Sequence, residues 1–453
     1  MKPHIRIASG QGFWGDLPRA PVDQVTLGPV DYLVMDYLAE VTMSIMQKQR
    51  RRDPGLGFAR DLVPLLKEIL PRCREAGIKI ITNGGGVNPE GCRKEVLAVA
   101  RSLGIGGVRV AVVSGDDILP GLDRLLGEGL PLSDMETGAP ISSVRNSLES
   151  ANVYFGAAPI VEALRMGADI VLTGRTTDTG LTLAPMMYEF DWSPSDWDRL
   201  AAGTVAGHIL ECGAQSTGGN FSGDWTAVPD MARIGFPIAE AYPSGEVIIT
   251  KHEKTGGMVT CATVKEQLLY EIGDPKVYIT PDCIADFTSI RLDSVGENRV
   301  KVFGVKGKPS TDSYKVSASY RDGYTCIGSL TYAWPDALAK ARAADEILRR
   351  RLSDLGLTFE EIRTEFVGYN SCHGPLSEGA DPPQEVMLRV GVRARDRAPV
   401  ERFALELAPL VLTGPPSVTG FAGGRPKPSE VIAFWPALIP KSAVQPSITM
   451  MES

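Results

Sequence analysis

Arg175 and Asp178 stand just past a short apolar run, Asp169-Ile170-Val171-Leu172-Thr173, that breaks at Gly174. A guanidinium at such a strand end can clamp a carboxylate or phosphate through two parallel N–H bonds. It can equally be taken up in an internal salt bridge with Asp178. Thr177 lies between them and could bind the same ligand. Further on, His208, Glu211 and Cys212 recur at spacings of three and four, which puts them on one face of a last helical turn. Such a trio offers a base, an acid or a thiol nucleophile. The competing reading is plain: a helix C-terminus welcomes a histidine and disfavours anions.

Four further carboxylates, Asp36, Glu40, Asp116 and Asp117, fall at or just beyond the ends of β-branched runs. Converging carboxylates raise one another's pKa, which suits acid–base work, and they could hold a divalent metal such as Mg²⁺. Each could also do no more than cap the next helix. In Asn83-Gly84-Gly85-Gly86, consecutive backbone N–H groups could face an oxyanion, or the glycines could serve a tight turn. A polar, glycine-rich loop, Gln215 to Asp224 with Asn220 inside it, would add ligand contacts. The stretch Gly10-Gln11-Gly12-Phe13-Trp14-Gly15 matches G-x-G-x-x-G, with Asp36 ending the next strand. However, Pro18, Pro21 and Pro29 leave at most a short helix where a nicotinamide dinucleotide needs a full helix N-terminus. A turn at Gly10 and Gly12 lining another ligand is the better reading. The basic run Lys48 to Arg52 reads as a solvated helix end, with coenzyme A phosphates as the alternative. No G-x-S-x-G, H-E-x-x-H or G-x-x-x-x-G-K-[ST] occurs.

The elements that must position these residues repeat one pattern. Ile5 to Ala8, Tyr32 to Met35, Ile78 to Thr82, Val108 to Val113 and Asp169 to Thr173 are short apolar runs, each ending in glycine or polar residues. Helical patterns lie between them, at Asp61 to Ala76, Pro89 to Leu103 and Ala158 to Met166. This alternation predicts an α/β fold with a parallel, Rossmann-like sheet whose polar strand ends share one edge. Ser193-Pro194-Ser195-Asp196 predicts the start of a helix that runs to Cys212 and stops at Gly213. From Phe236 the pattern turns α+β. Strands are expected at Val247 to Thr250 and Met258 to Val264, and hairpins about Gly296-Glu297-Asn298 and Asp322-Gly323. Helices follow at Pro335 to Leu355 and Pro399 to Leu412. Two domains are expected, 1–230 carrying the site and 231–453. Gly414 to Pro428 reads as a loop, either a cover for the site or an inert connector.

Composition narrows the class. With 43% hydrophobic and 23% charged residues over 453 positions, the chain reads as a globular protein. A net charge of -8 argues against a nucleic-acid partner. Seven cysteines, an odd number without a C-x-x-C pair, suggest a reduced, cytoplasmic protein without a zinc ribbon. No run approaches the roughly 18 apolar residues of a membrane span. The strand-like start at His4-Ile5-Arg6-Ile7 leaves no room for a signal peptide.

Long stretches of the sequence resemble the AtuA family, the acyclic terpene utilisation proteins. They are IRIASGQGFWGD, VDYLVMDYLAEVTM, ITNGGGVNPEGC, NVYFGAAPIVEALRMGADIVLTGRTTDTGLTLAP, GHILECGAQSTGGNFSGDW and KHEKTGGMVTCATVKEQLLYEIGDPKVYITPD. The resemblance covers essentially the whole chain. It implies a catabolic component that works beside enzymes of acyl-CoA metabolism, in an oligomer, with a small ferredoxin-fold domain as a separate partner subunit. It assigns no catalytic role to any residue.

Together these features predict a hydro-lyase, a hydratase or dehydratase, on a branched hydroxy or unsaturated carboxylate or its CoA thioester. Asp178 or Glu211 would be the base, His208 the acid, and Arg175 the carboxylate clamp, with Asn83, Gly84 and Gly85 as oxyanion donors. The alternatives are a carbon–carbon lyase using Cys212 and a non-catalytic, acyl-CoA-binding subunit.

Overall fold

The structure, a computed structural model, describes residues 2–419 and 424–453, apart from the side chain of Glu40. Two compact units share the chain: residues 1–319 with 434–453, and residues 320–433. Residues 230 and 231, between which the sequence reading places a domain boundary, both fall inside the larger unit.

The larger unit is built on one ten-stranded mixed sheet. Its strands in chain order are β1 (Ile5–Gln11), β2 (Tyr32–Met35), β3 (Lys79–Thr82), β4 (Arg109–Ser114), β5 (Ile170–Thr173), β6 (Ile238–Ala241), β7 (Val247–Thr250), β8 (Arg291–Gly296), β9 (Arg299–Phe303) and β10 (Ser447–Glu452). Across the sheet the order is β8-β9-β7-β6-β1-β2-β3-β5-β4-β10. The five central strands, β1 to β5, are parallel, as their alternation with helices predicts. Antiparallel strands flank them on both sides, β6 against β1 and β10 against β4.

Both faces of the parallel core are covered, so the strands are apolar throughout and consecutive side chains serve opposite layers. Ile7, Val34, Ile81, Ala111 and Val171 pack with helices α5 (Ala158–Arg165), α6 (Gly180–Phe190) and α7 (Trp197–Glu211). Ala8, Leu33, Met35, Ile80, Val112 and Leu172 pack with α1 (Ala20–Thr26), α3 (Leu62–Ala76) and α4 (Pro89–Ser102). Helix α2 (Glu40–Arg52) follows the end of β2, and α8 (Cys261–Leu269) follows β7. In the smaller unit, strand Glu385–Ala394 pairs antiparallel with the second part of strand Ser313–Ala333 on one side and with Glu361–Val367 on the other. Helices Ala337–Asp354 and Arg397–Leu407 share one apolar core with them.

Several local expectations are corrected. The stretch Met258 to Val264 starts a helix rather than forming a strand. Thr260 accepts the N–H of Thr263, and Thr263 returns a bond to the N–H of Thr260, closing a capping box. Asp322-Gly323 does not turn a hairpin: residues 313–333 form one strand. Helix α7 begins at Trp197, because Ser193 and Asp196 use their side chains on a preceding turn. It ends as expected beside Gly213, which adopts a φ of 56°. Of the expected loop Gly414 to Pro428, residues 418–419 pair as a short strand, and 420–423 lie outside the described residues.

Candidate functional site

The registers Gln11 with Met35, Met35 with Thr82, Thr82 with Leu172 and Thr173 with Val113 set the ends of the five parallel strands level. Gly12, Asp36, Asn83, Asp116 and Arg175, all within two residues of those ends, therefore share one edge, where open α/β sheets bind their ligands. The edge is tightly knit. Asn83 donates from Nδ2 to Asp36 Oδ1 at 2.7 Å and accepts the N–H of Tyr37 on Oδ1, also at 2.7 Å. Asp36 also accepts the N–H of Leu38 at 3.0 Å. Burial pushes the Asp36 carboxyl well up and the charge on Asp178 adds to this, against the pull of Arg175.

Arg175 is buried, its side chain 2% exposed, and lies 4.2 Å over the ring of Tyr154. Its Nη1 donates to Asp178 Oδ1 at 2.8 Å and to the Leu38 carbonyl at 2.9 Å. The internal salt bridge is thus the arrangement present here. Burial opposes the charge on Arg175, but Asp178, Tyr154 and Asp36 hold it protonated. Asp178, 36% exposed, is where this network meets solvent. Beneath it, Asp116 accepts the Arg175 N–H at 2.8 Å and Asn152 Nδ2 at 2.9 Å, and burial pushes its carboxyl up to about 6.

The end of α7 meets the same edge because two glycines let it. A Cβ on Gly207 would lie 2.6 Å from Thr179 Cα and from the Thr179 carbonyl. A Cβ on Gly12 would lie 2.9 Å from the Glu211 carbonyl oxygen. His208 is thereby sealed against Tyr278 and Phe287, whose ring centroids are 5.6 and 5.4 Å away. Its Nε2 lies 3.0 Å from the Gln267 carbonyl, and Gln267 Nε2 donates back to the His208 carbonyl at 2.8 Å. A carbonyl only accepts, so Nε2 carries a hydrogen. Nδ1 then faces Glu211 Oε1 at 2.7 Å, a distance two lone pairs would not tolerate. The contact is an ion pair when Nδ1 also carries a proton.

Burial alone would lower the His208 pKa, but Glu211 outweighs it and the net shift is upward. Glu211 is raised too, first by burial and, more weakly, by the charge on Asp178. The exposed aspartate and the buried pair therefore lie within electrostatic reach of each other. Cys212, beside them, has its thiol pushed up to about 12 by burial and by Glu211, which disfavours a thiolate nucleophile.

Other expected site residues are placed differently. Gly10 packs against Leu33 and Met35, and the helix after its turn has only seven residues, as the prolines predict. The N–H of Gly84 is bonded to Thr82 Oγ1 and that of Gly86 to the Asn83 carbonyl. Gly85 leaves no space for a Cβ beside the Thr173 carbonyl, 2.6 Å away, so this glycine turn serves packing. Thr177 is half-buried and donates its N–H to the Phe155 carbonyl. Asn220, exposed at a φ of 54°, belongs to a neighbouring hollow rather than to the strand-end cluster. The side chain of Glu40 lies outside the described residues. Asp117 accepts the Leu119 N–H and serves its own turn. In the basic run, Arg50 donates to the Val87 carbonyl and Arg51 pairs with Glu149. Among the described residues no group of three or more His, Cys, Asp or Glu is placed to hold a metal ion.

Gln267, Tyr154 and Asn152 are absent from the sequence reading. Only the helical period of 261–269 could have pointed to Gln267, and the overlapping stretch Met258 to Val264 reads as a strand.

The model of one family, described as the acyclic terpene utilisation family protein AtuA, matches residues 5–450. No curated protein and no solved structure matches the chain. Among the described residues, no helix is long and apolar enough to cross a membrane.

Proposed function

The chain belongs to the acyclic terpene utilisation family AtuA, and from that premise we propose that it is a catabolic hydro-lyase. Its substrate in this reading is a branched hydroxy or unsaturated carboxylate, or the CoA thioester of one. The observation that carries the reading is the pairing of a partly exposed carboxylate, Asp178, with a buried His208–Glu211 ion pair at one sheet edge. A carboxylate open to solvent beside a buried imidazole–carboxylate pair offers the base and the acid that such an elimination needs.

In the dehydration direction Asp178 takes the proton from the carbon beside the carbonyl. The C–H electron pair becomes the new double bond as the C–O bond to the hydroxyl breaks. The proton held by the His208–Glu211 ion pair passes to the departing oxygen, which leaves as water. Asp178 returns its proton to solvent across its exposed side, and the pair is reprotonated. Arg175 acts here as a positioning residue, fixing Asp178 from within the protein. A thioester-forming carbon–carbon lyase is the weaker reading, because Cys212 is held as a thiol.

The test is exchange of the substrate α-proton for solvent deuterium, followed by NMR. Branched unsaturated acids and their CoA thioesters are supplied, with and without a ferredoxin-fold partner subunit. Asp178→Asn is expected to abolish exchange. Glu211→Gln should slow exchange and water loss together by roughly 10²–10⁴-fold, because the α-proton leaves in the step that breaks the C–O bond. A wild-type protein that exchanges no α-proton in any of these substrates refutes the reading.

A further inference from the structure

A hollow of about 480 Å³ lies between α8, the turn Phe287–Ser289 and the start of β8. Its walls are largely apolar, with Leu268, Leu269, Ile272, Phe287, Ile290 and Leu292 among them. Phe287, Ile290 and Leu292 also pack against the core of the larger unit, so they are held from behind while part of their surface stays in water. An apolar concavity of this size with a few polar groups in its wall is the usual form of a small-molecule site.

The charges in that wall are of one sign. Lys265 and Arg291, both exposed, line the hollow, and no aspartate or glutamate does. Lys265 is brought there by helical spacing, three and four residues before Leu268 and Leu269 on α8. Arg291 Nη1 donates to two carbonyl oxygens, those of Ser289 and Ile290, which leave its charge unpaired. The acids nearby in sequence are engaged elsewhere: Glu266 accepts the N–H and hydroxyl of Ser222, and Asp286 those of Thr288. In a chain of net charge -8 this is a local reversal of sign. An apolar wall with two cations and no acid fits an aliphatic body that ends in an anion. A second copy of the chain fits poorly, because a two-fold contact centred here would set Lys265 and Arg291 against their own counterparts.

We propose that this hollow binds an aliphatic carboxylate, its chain along Leu268, Ile290 and Leu292 and its head between Lys265 and Arg291. The site is distinct from the strand-end cluster and needs nothing from the dehydration chemistry of Asp178. One ring joins the two: Phe287 lines the hollow, and its centroid lies 5.4 Å from that of His208.

Calorimetric titration of the full chain with decanoate, butyrate and decyltrimethylammonium tests the site without reading turnover. Decanoate should bind roughly tenfold or more tightly than butyrate, since each buried methylene adds to affinity. It should also bind more tightly than the cation of equal chain length. Lys265→Gln and Arg291→Gln, both at exposed positions, should each weaken decanoate by roughly two- to fivefold, the scale of one exposed ion pair. Lys265→Glu combined with Arg291→Glu should reverse the preference for decanoate over the cation. Trp225→Ser, in the neighbouring hollow, should leave it unchanged. Asp178→Asn should too, which separates failure of this site from failure of the dehydration reading. Equal binding of decanoate and decyltrimethylammonium, or a charge-reversed protein that keeps the wild-type preference, overturns the proposal. So does a chain that sediments as a dimer and becomes a monomer in Ile290→Ser, which would seat a second copy in the hollow.

Discussion

Replacing Glu211 with glutamine tests the ion pair directly, because the amide can donate to His208 Nδ1 where the carboxylate favours a proton on the ring. With Nε2–H fixed on the Gln267 carbonyl, the variant imidazole stays neutral. In the wild type the folded pair keeps a proton that the unfolded chain releases once pH exceeds the ordinary histidine value of 6.5. The folded His208 pKa is raised, so its contribution is fully present below 6.5 and is lost as pH rises through the folded value. While that one-proton difference persists, stability falls by about 1.4 kcal/mol per pH unit. In the variant that fall is absent, so the stability gap between wild type and Glu211→Gln should narrow as pH rises from about 6 to about 8. Asp116 and Asp282, both pushed up to about 6 by burial, and His252, lowered by burial, also titrate on this scale. They do so equally in both proteins and cancel in the difference. Urea unfolding of the full chain at about pH 6, 7 and 8 reads the gap, and imidazole NMR reads the proton. A gap that stays constant across the series, or a His208 ring that is neutral in the wild type at pH 7, would refute the ion pair.

Gly207→Ala should destabilise the protein by about 1–3 kcal/mol in thermal or urea unfolding, because its Cβ would meet the Thr179 backbone. Gly106→Ala, with nothing within 4 Å, should stay within about 0.5 kcal/mol of wild type. Asp116→Asn removes a buried carboxyl whose pKa rises from 3.8 to about 6, a difference of about 3 kcal/mol. That stability is present below pH 3.8 and lost as pH rises through about 6, so the variant should gain on wild type between pH 4 and pH 8. Loss of ground over that interval would contradict it. Brief iodoacetamide treatment at neutral pH, read by peptide mass, should label the exposed Cys372 and leave Cys212 unmodified.

Much of this arrangement is written locally. Five β-branched runs that each end in glycine or a polar residue, separated by helical periods, suffice to imply a parallel sheet with its polar ends on one edge. The registers of β1 to β5 place Asp36, Asn83, Asp116 and Arg175 there. The spacing of three between His208 and Glu211 likewise requires only a helix to bring the two together. Other features were illegible for equally physical reasons. Thr260 and Thr263 favour a strand by propensity, and a capping box overrides it. The strands of 238–303 read as a separate half, yet β6 pairs with β1 and extends the first sheet, a choice made by non-local hydrogen bonds.

What the sequence by itself determined is therefore the kind and order of the elements and which residues each presents at its ends. Only the tertiary structure decided which ends became neighbours and how far each was taken from water. Arg175 turns inward to Asp178 and the Leu38 carbonyl, 137 residues away, rather than outward to a ligand. His208 owes its proton to a carbonyl at Gln267, 59 residues on, and to the burial they share. Side-chain periodicity is a property of a few consecutive residues, whereas desolvation and charge pairing depend on which distant segments the fold packs around them.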